Sequence, residues 1–471
     1  MIRTCIAALF ALNSVCALAA QREFFFEPVT RPGDLIQQTV TDLIQDHDGF
    51  IWVATQGGLH RLDSAQIRRF HRQLDAGTGL PDSFITALAA GEPGEIWVGM
   101  HANYLARLDL NTGHFEPAPA PGAGAGVVDL LYLKDRGLWI AARDSVQWMA
   151  KGRLPTSLRL PGGQALASNA LAESSDGRVY LAAKQGLYEL DVEDGVVPVL
   201  TGFPVRSLLV EDRAFLLGTE RGLVRFDRQT REQRTVWSAD NAEPRDQDVT
   251  RIVRDSTGVL WLATGNAGMV RLAPDYQELG RLQEVPGLPG SLPEDSIRAL
   301  LIDRAGLLWT GGQMRGVAVT DPRGSRFKLI YENAVGDDRT LVRGNSIRAI
   351  LSDQGTFWLG TDGTGLKRYW PEDDRFDRFD EALGRALGSP SEATQLRVHG
   401  LVRNGDTLWV STHRGLLKLH VGSNRAETVG APDSPLRRSL RHMTPGRDGS
   451  LWIGSNDNGL VHYDPQTDRV R

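Results

Sequence analysis

The chain has 471 residues, of which 41% are aliphatic or aromatic, with 51 glycines and a formal net charge of −5. That balance offers no basic field for nucleic acid or an anionic lipid surface, and so much glycine suits many strands joined by tight turns. Both cysteines, Cys5 and Cys16, fall in the first 16 residues, so the remainder holds no disulfide, thiol nucleophile or cysteine metal site.

The N-terminus carries Arg3, an apolar run from Ile6 to Leu12, and Ala17-Leu18-Ala19, a small-x-small cleavage pattern. Residues 1–19 are therefore expected to be a secretory signal peptide. As an anchor helix the run is too short and is interrupted by Asn13 and Ser14. An exported, cysteine-free product predicts a periplasmic location. No run of about 18 apolar residues follows, so no membrane span is expected after the signal.

From residue 39 one phrase returns ten times. It opens with an alternating segment such as TVTDLIQD (39–46), SFITALAA (83–90), DVTRIVRD (248–255), SIRALLID (296–303) or SIRAILSD (346–353). With every second residue apolar, this reads as a half-buried strand. A tight turn follows, as at Asp48-Gly49, Asp176-Gly177 and Asp448-Gly449, where glycine supplies the positive φ of a hairpin. Next comes an apolar strand anchored at Trp52, Trp97, Trp139, Tyr180, Phe215, Trp261, Trp309, Trp358, Trp409 and Trp452. The anchors are 45, 42, 41, 35, 46, 48, 49, 51 and 43 residues apart. A polar turn such as Thr55-Gln56-Gly57-Gly58 leads to a third strand. A weaker fourth strand is expected at the aromatics Phe70, Phe115, Phe327, Phe376 and Phe379. Periods in the forties suit four-stranded blades, and such units cannot bury their faces alone. The fold class is therefore all-β, a β-propeller of about ten antiparallel blades. The units alternate too sharply for a solenoid and carry no helical phrase.

The phrase I-x-x-I-x-x-D-x-x-G-x-(I/L)-W-(I/V/L)-(G/A)-T-x-x-G-L-x-R resembles the two-component regulator propeller repeat. The clearest copies are GFIWVATQGGLHRL (49–62), TFWLGTDGTGLKRY (356–369), DTLWVSTHRGLLKL (406–419) and GSLWIGSNDNGLVHY (449–463). Copies at 126–149, 167–190 and 204–226 depart from it: Val146 stands in the Gly-Leu slot, and Tyr180 and Phe215 replace Trp. Blades of this kind form the periplasmic sensor region of hybrid histidine kinases and of some diguanylate cyclases. The resemblance implies a ligand-sensing region of a transmembrane receptor, a small-molecule ligand such as an oligosaccharide, and a receptor homodimer. The family commonly pairs two seven-bladed rings. Ten units then predict a first propeller of seven blades over 20–330 and the start of a second, three blades, over 331–471. The second ring is expected to be incomplete, the chain stopping after Tyr463 where a fourth strand should begin, with the output domain beyond it.

Catalytic signatures are missing: there is no H-E-x-x-H, G-x-S-x-G or P-loop phrase. The ten histidines are scattered without metal-ligand spacing, and Glu372-Asp373-Asp374 lacks the graded oxygens of a calcium loop. No cofactor or metal is expected, and no enzymatic activity. The Asp recurring before the anchors (Asp46, Asp255, Asp303, Asp353) reads as a hairpin acceptor rather than an ion site. The anchor tryptophans read as stacked core.

What the phrase varies is more informative. Between the anchor strand and the third strand stand Gln56, His101 with Asn103, Arg143, Arg221, Asn266, Arg315, Asp362, and His413 with Arg414. If the alternating strand is innermost, these turns emerge on one rim of the channel. A ring of differing polar groups on a rigid scaffold is how a common fold acquires a specific site, so these are the candidate ligand-binding residues. Taken singly, each also fits a solvated hairpin tip. Two further readings stay open, a scaffold that binds proteins through the rim and a secreted propeller lyase or hydrolase. The phrase YLARLDLNTGHF (104–115) bears a faint likeness to lyase propellers, without a paired carboxylate or nucleophile–base set.

Overall fold

The computed structural model of the chain describes residues 24–63, 66–72, 79–102, 104–119, 126–158, 166–239, 247–286, 288, 290–325, 327, 330, 346–388 and 395–471. Residues 1–19, assigned above to a signal peptide, lie outside them. Regular structure is almost entirely antiparallel and forms ten four-stranded sheets.

Blade 1 gives the pattern: inner strand Val40–Gln45, anchor strand Ile51–Thr55, third strand Gly58–Leu62 and outer strand Ile67–Phe70. The anchor strand is buried along its whole length, whereas two of the four residues of the outer strand are exposed. A strand in mid-sheet is flanked by paired strands and covered on both faces by the neighbouring blades, which is why it reads as a continuous apolar run. Blades 2 to 6 follow at 85–118, 127–158, 168–201, 207–237 and 249–282. The inner strands of successive blades touch, and Ile297–Ile302 of blade 7 touches Val40–Gln45 of blade 1. Seven blades thus close a ring around a channel within one compact unit, Met1–Lys328.

The seventh blade is completed from the other end of the chain. Its fourth strand is Glu27–Pro28, which pairs antiparallel with Val317–Thr320 through Glu27↔Val319 and Pro28↔Ala318. Thr30 Oγ1 accepts the Val317 N–H at 3.0 Å, and the Ile36 N–H donates to His60 Nε2 at 3.0 Å. Phe327, expected on this outer strand, lies outside any strand and is 85% exposed.

The second compact unit, Leu329–Arg471, holds three blades at 347–378, 398–428 and 440–470. Three sequence expectations are corrected here. Phe379 is not on a strand: it precedes the helix Asp380–Leu387 and packs on Trp358 with ring centroids 4.8 Å apart. That helix is itself unforeseen; it carries Asp380 and Glu381 in its first turn and ends at Gly388, in the left-handed region at φ 86°. Blade 10 does have a fourth strand, the short Arg469–Val470 paired with Leu460–Asp464.

The anchors are held by side-chain chemistry that repeats. Asp46 accepts the Asp48 and Phe50 N–H groups on Oδ1 at 3.0 and 2.9 Å, and the Trp52 indole N–H on Oδ2 at 2.7 Å. Asp255, Asp303 and Asp353 accept the Trp261, Trp309 and Trp358 indoles at 2.8, 2.8 and 3.0 Å. The repeated Asp is therefore a hairpin acceptor that also fixes the ring buried beside it. In blades 1, 2, 6, 8 and 9 a cation sits directly across the strand pair from the ring, as Arg271 does opposite Trp261 and Arg368 opposite Trp358. Their guanidinium carbons lie 5.2 and 5.1 Å from the ring centroids. Where Tyr180 and Phe215 replace Trp, Arg228 covers both rings at 5.6 and 5.2 Å. Trp452 departs from the expected role: it is 41% exposed, while Trp52, Trp261 and Trp358 are fully buried.

Candidate functional site

In nine of the ten blades the inner strand starts with a β-bulge, between Val40 and Asp42 in blade 1. A bulge re-aims the side chain beside it. Thr41 Oγ1 donates to the Ile85 carbonyl of blade 2 at 2.7 Å, and Thr86 Oγ1 to Val127 of blade 3 at 2.6 Å. Asn169 Nδ2 donates to Val205 at 2.6 Å and Thr250 Oγ1 to Ile297 at 3.2 Å. Blades 1 and 2, 2 and 3, 4 and 5, and 6 and 7 are thereby stitched together around the channel.

The rim turns stand at the entry end of these inner strands. The Gln56 N–H donates to the Thr39 carbonyl, His101 to Phe84, Arg143 to Gly126, Asp362 to Ser346 and His413 to Arg397. Each turn is thus tied to the residue before, or beginning, its own inner strand, at one end of the channel wall. The constant residues of the turn are structural. Thr55 Oγ1 donates to the Gly58 carbonyl at 2.9 Å and accepts the Gly57 N–H at 3.1 Å, and Thr412 does the same with Gly415 and Arg414. At Gly58, φ is 154° and a Cβ would lie 2.5 Å from the Phe70 carbonyl, so no larger residue fits.

The sequence-predicted residues fall into groups. His101 stacks on Phe84 at 4.6 Å, and its Nε2 is 2.7 Å from Arg143 Nη2, joining the rims of blades 2 and 3. Arg315 donates its backbone N–H to Glu294 Oε1 at 2.7 Å and places a guanidinium nitrogen 3.6 Å from Glu284. Gln56, Arg221 and Asn266 are exposed at their turns. Asn103 lies outside the described residues. Asp362, His413 and Arg414 belong to the second unit, where Arg348 Nη2 and Arg397 Nε reach Asp362 at 2.6 and 3.4 Å.

Charged groups on the channel wall escape sequence reasoning. At the third position of the inner strand blade 1 carries Asp42 and blade 3 carries Asp129, whereas blades 2, 4 and 7 carry Ala87, Ala170 and Ala299. Asp42 accepts the Leu43 N–H at 2.9 Å and the Leu88 N–H of blade 2 at 2.8 Å. Asp129 likewise takes Leu130 at 2.9 Å and Leu171 of blade 4 at 2.7 Å. These carboxylates satisfy N–H groups on inner-strand edges that no further strand covers. Burial, with a smaller push from Asp129, raises the Asp42 carboxyl to about 7, against the pull of Arg251. Burial also raises Asp129. Comparing the third positions across the repeats is the signal that could have found them.

A cleft of about 660 Å³ lies between blades 2 and 3, lined by Glu95, Trp97, Arg107, Tyr132, Trp148 and Leu154 among others. Tyr132 donates to Glu92 at 2.6 Å, and Arg107 bridges Glu95 and Glu116 at 2.6 and 2.5 Å. Its charges are thus largely paired within the protein. Among the described residues no three His, Cys, Asp or Glu side chains are placed to hold a metal, and no helix is long and apolar enough to cross a membrane.

Residues 34–57, which run from the segment before the first inner strand through that strand to the Asp46–Trp52 hairpin and its rim turn, match the two component regulator propeller family. That stretch carries the two-component regulator propeller repeat. Two extracellular domains from B. thetaiotaomicron, both described as parts of hybrid two component systems, share the fold. The first is 18% identical with a TM-score of 0.64, over 95% of this chain and 66% of the other. The second is 17% identical with a TM-score of 0.53, over 95% and 67%. The chain thus spans about two thirds of the length of each. Virginiamycin B lyase from Staphylococcus aureus is 12% identical with a TM-score of 0.50, over 64% of this chain and 99% of the lyase. At these identities the likeness is one of fold. No curated protein matches the chain in sequence. The matched stretch holds Asp46, Trp52 and Thr55, residues that the phrase keeps constant, and the rim residue Gln56 that it varies.

Proposed function

We propose that the chain is the ligand-sensing propeller region of an exported bacterial signal-transduction receptor, whose output is a histidine kinase or diguanylate cyclase domain. The observation that carries this reading is the repeat itself, matched at 34–57 and resembling in fold the extracellular domains of two-component systems. The rim turns are the sensing surface in this reading. They present His101 with Arg143, then Arg221, Asn266 and Arg315 in the first unit, and Asp362, His413 and Arg414 in the second, on backbone fixed by Thr and Gly. The ligand is a small molecule, an oligosaccharide being one class, and signalling proceeds through a receptor homodimer. The ligand must bind one receptor arrangement better than another, since equal affinity shifts no equilibrium.

The test is a thermal-shift panel of oligosaccharides, nucleotides and amino acids on the exported protein. Stabilisation by one class, abolished when His413 and Arg414 are replaced by Ala, is the expected result. Stabilisation that ignores every rim replacement would reject the rim as the sensing surface. A protein-binding scaffold is the second reading, favoured by the exposure of Ile350, Trp452 and Leu460 at 67%, 41% and 65%. A pull-down from periplasmic extract lost on Trp452→Ala would support it over sensing.

A further inference from the structure

The inner end of the contact between blades 8 and 9 gathers more positive charge than its own carboxylate balances. Arg348 is the second residue of the blade 8 inner strand Ile347–Asp353, and Arg397 immediately precedes the blade 9 inner strand Val398–Asn404. Both reach Asp362 on the blade 8 rim turn, at 2.6 Å from Arg348 Nη2 and 3.4 Å from Arg397 Nε. Among the described residues Asp362 is the one carboxylate paired with either arginine. The backbone fixes the approach, since Asp362 and Arg397 form an antiparallel bridge and the Asp362 N–H donates to Ser346 at 2.8 Å.

Two imidazoles complete the cluster with assigned tautomers. His413 Nδ1 accepts the Arg397 N–H at 3.2 Å, so the ring proton sits on Nε2. His399 Nδ1 faces the Leu440 carbonyl at 2.7 Å and must donate to it. Burial holds the His413 imidazole below its ordinary range, with Arg414 and Arg397 adding to the effect. Asp362 is held low by its bond to Arg348, with Arg397 and His399 contributing. Among the described residues two guanidinium groups, of Arg348 and Arg397, therefore meet at this spot on a single carboxylate. The Arg348 and Arg397 side chains are 49% and 61% exposed, and each guanidinium has donors to spare beyond its contact with Asp362.

We propose that this cluster is a binding site for a small dianion, a phosphate ester or dicarboxylate whose paired oxygens take the Arg348 and Arg397 guanidinium groups with the His413 Nε2–H beside them. The inference rests on the rim turns being the sensing surface and names the chemistry of the ligand at that surface. Arg recognises such groups because its planar fork matches two oxygens at once. Asp362 orients both arginines and also competes with the ligand for them. Its removal therefore has the opposite effect from removal of an arginine.

The experiment is calorimetric titration of the whole chain at low salt with inorganic phosphate and with malonate, glycine serving as the neutral probe. Binding of a dianion but not of glycine is expected. It should weaken at least tenfold in Arg397→Gln and in Arg348→Gln, and tighten severalfold in Asp362→Asn. Arg425→Gln, on the outer strand of blade 9, should leave it unchanged. Thermal melts without ligand check that each variant is folded. Absence of binding by both dianions overturns the proposal, as does binding that survives both arginine replacements. If instead a neutral ligand stabilises the chain and His413→Ala abolishes that effect, the dianion is refuted while the rim remains the sensing surface.

Discussion

Asp255 performs four tasks with one carboxylate. Oδ1 accepts the Thr257 N–H and hydroxyl at 2.8 and 2.6 Å and the Val259 N–H at 3.1 Å, while Oδ2 takes the Trp261 indole at 2.8 Å. Truncating it strands buried donors, and a charged acceptor lost from a buried site costs about 2–4 kcal/mol. Asp255→Ala should lower the unfolding free energy by that amount in a urea titration, and Asp255→Asn by less. Asp42 provides a test by pH. Its carboxyl is raised to about 7, whereas an unfolded chain titrates near 3.8. The folded state therefore holds this proton more tightly. The associated stability is complete below the unfolded value and is lost as pH rises through 7. Between pH 6 and pH 8.5 the wild-type protein should lose stability relative to Asp42→Asn; parallel behaviour of the two would exclude Asp42 as the source.

At the scale of the element, the N-terminal strap, strand Glu27–Pro28, decides whether the first ring is closed. Removing residues up to Val29 exposes the edge of Val317–Thr320 and the ring of Trp261, on which Phe24 packs at 5.2 Å. An unpaired edge invites pairing between molecules. The truncated chain should melt at lower temperature and elute from size exclusion with aggregate that the intact chain lacks. Hairpins and anchor strands were legible in the sequence because their signals are local: the Asp-Gly turns, the alternation of TVTDLIQD and the Trp. Strand Glu27–Pro28 was not legible, because two residues carry no periodicity and their partner lies at Ala318–Val319. Phe327 drew the expectation instead, as an aromatic at the right distance from Trp309. The helix Asp380–Leu387 was hidden likewise, since eight residues cover barely two turns and its buried Leu383 suits a loop equally well.

For the whole molecule, the periodicity predicted ten units, and ten sheets are present. The burial of each anchor was less legible, because it depends on which blade stands next to it. Trp261 is fully buried, while Trp452 is 41% exposed and Leu460, on the neighbouring strand, 65%. Replacing Trp261 by Ala should cost about 3–5 kcal/mol, as large-to-small changes in cores do. Trp452→Ala should cost less than about 1 kcal/mol in the same denaturation assay, as an exposed position does. Equal losses would mean that the face of blade 10 is covered in solution. The rim was legible as a set of positions, since a phrase that keeps Thr and Gly marks what it varies. Its chemistry was not: Arg348 lies on an inner strand whose residues read as wall, Arg397 just before the next one, and only the fold brings them to Asp362.

The strap also sets a timetable. Glu27 meets Val319 across 292 residues of chain, so the first strand described must wait for nearly the whole ring before it finds its partner. The thermodynamic penalty is small: relative to a blade of about 40 residues, loop-closure entropy adds only about 2 kcal/mol. The kinetic effect is larger, because pairings so distant in sequence form late and slowly. A chain emerging from N- to C-terminus therefore travels with a ready strand at one end and an open groove at the other until the seventh blade arrives. Within this ring the pairing of the strap with the seventh blade is therefore expected to form last.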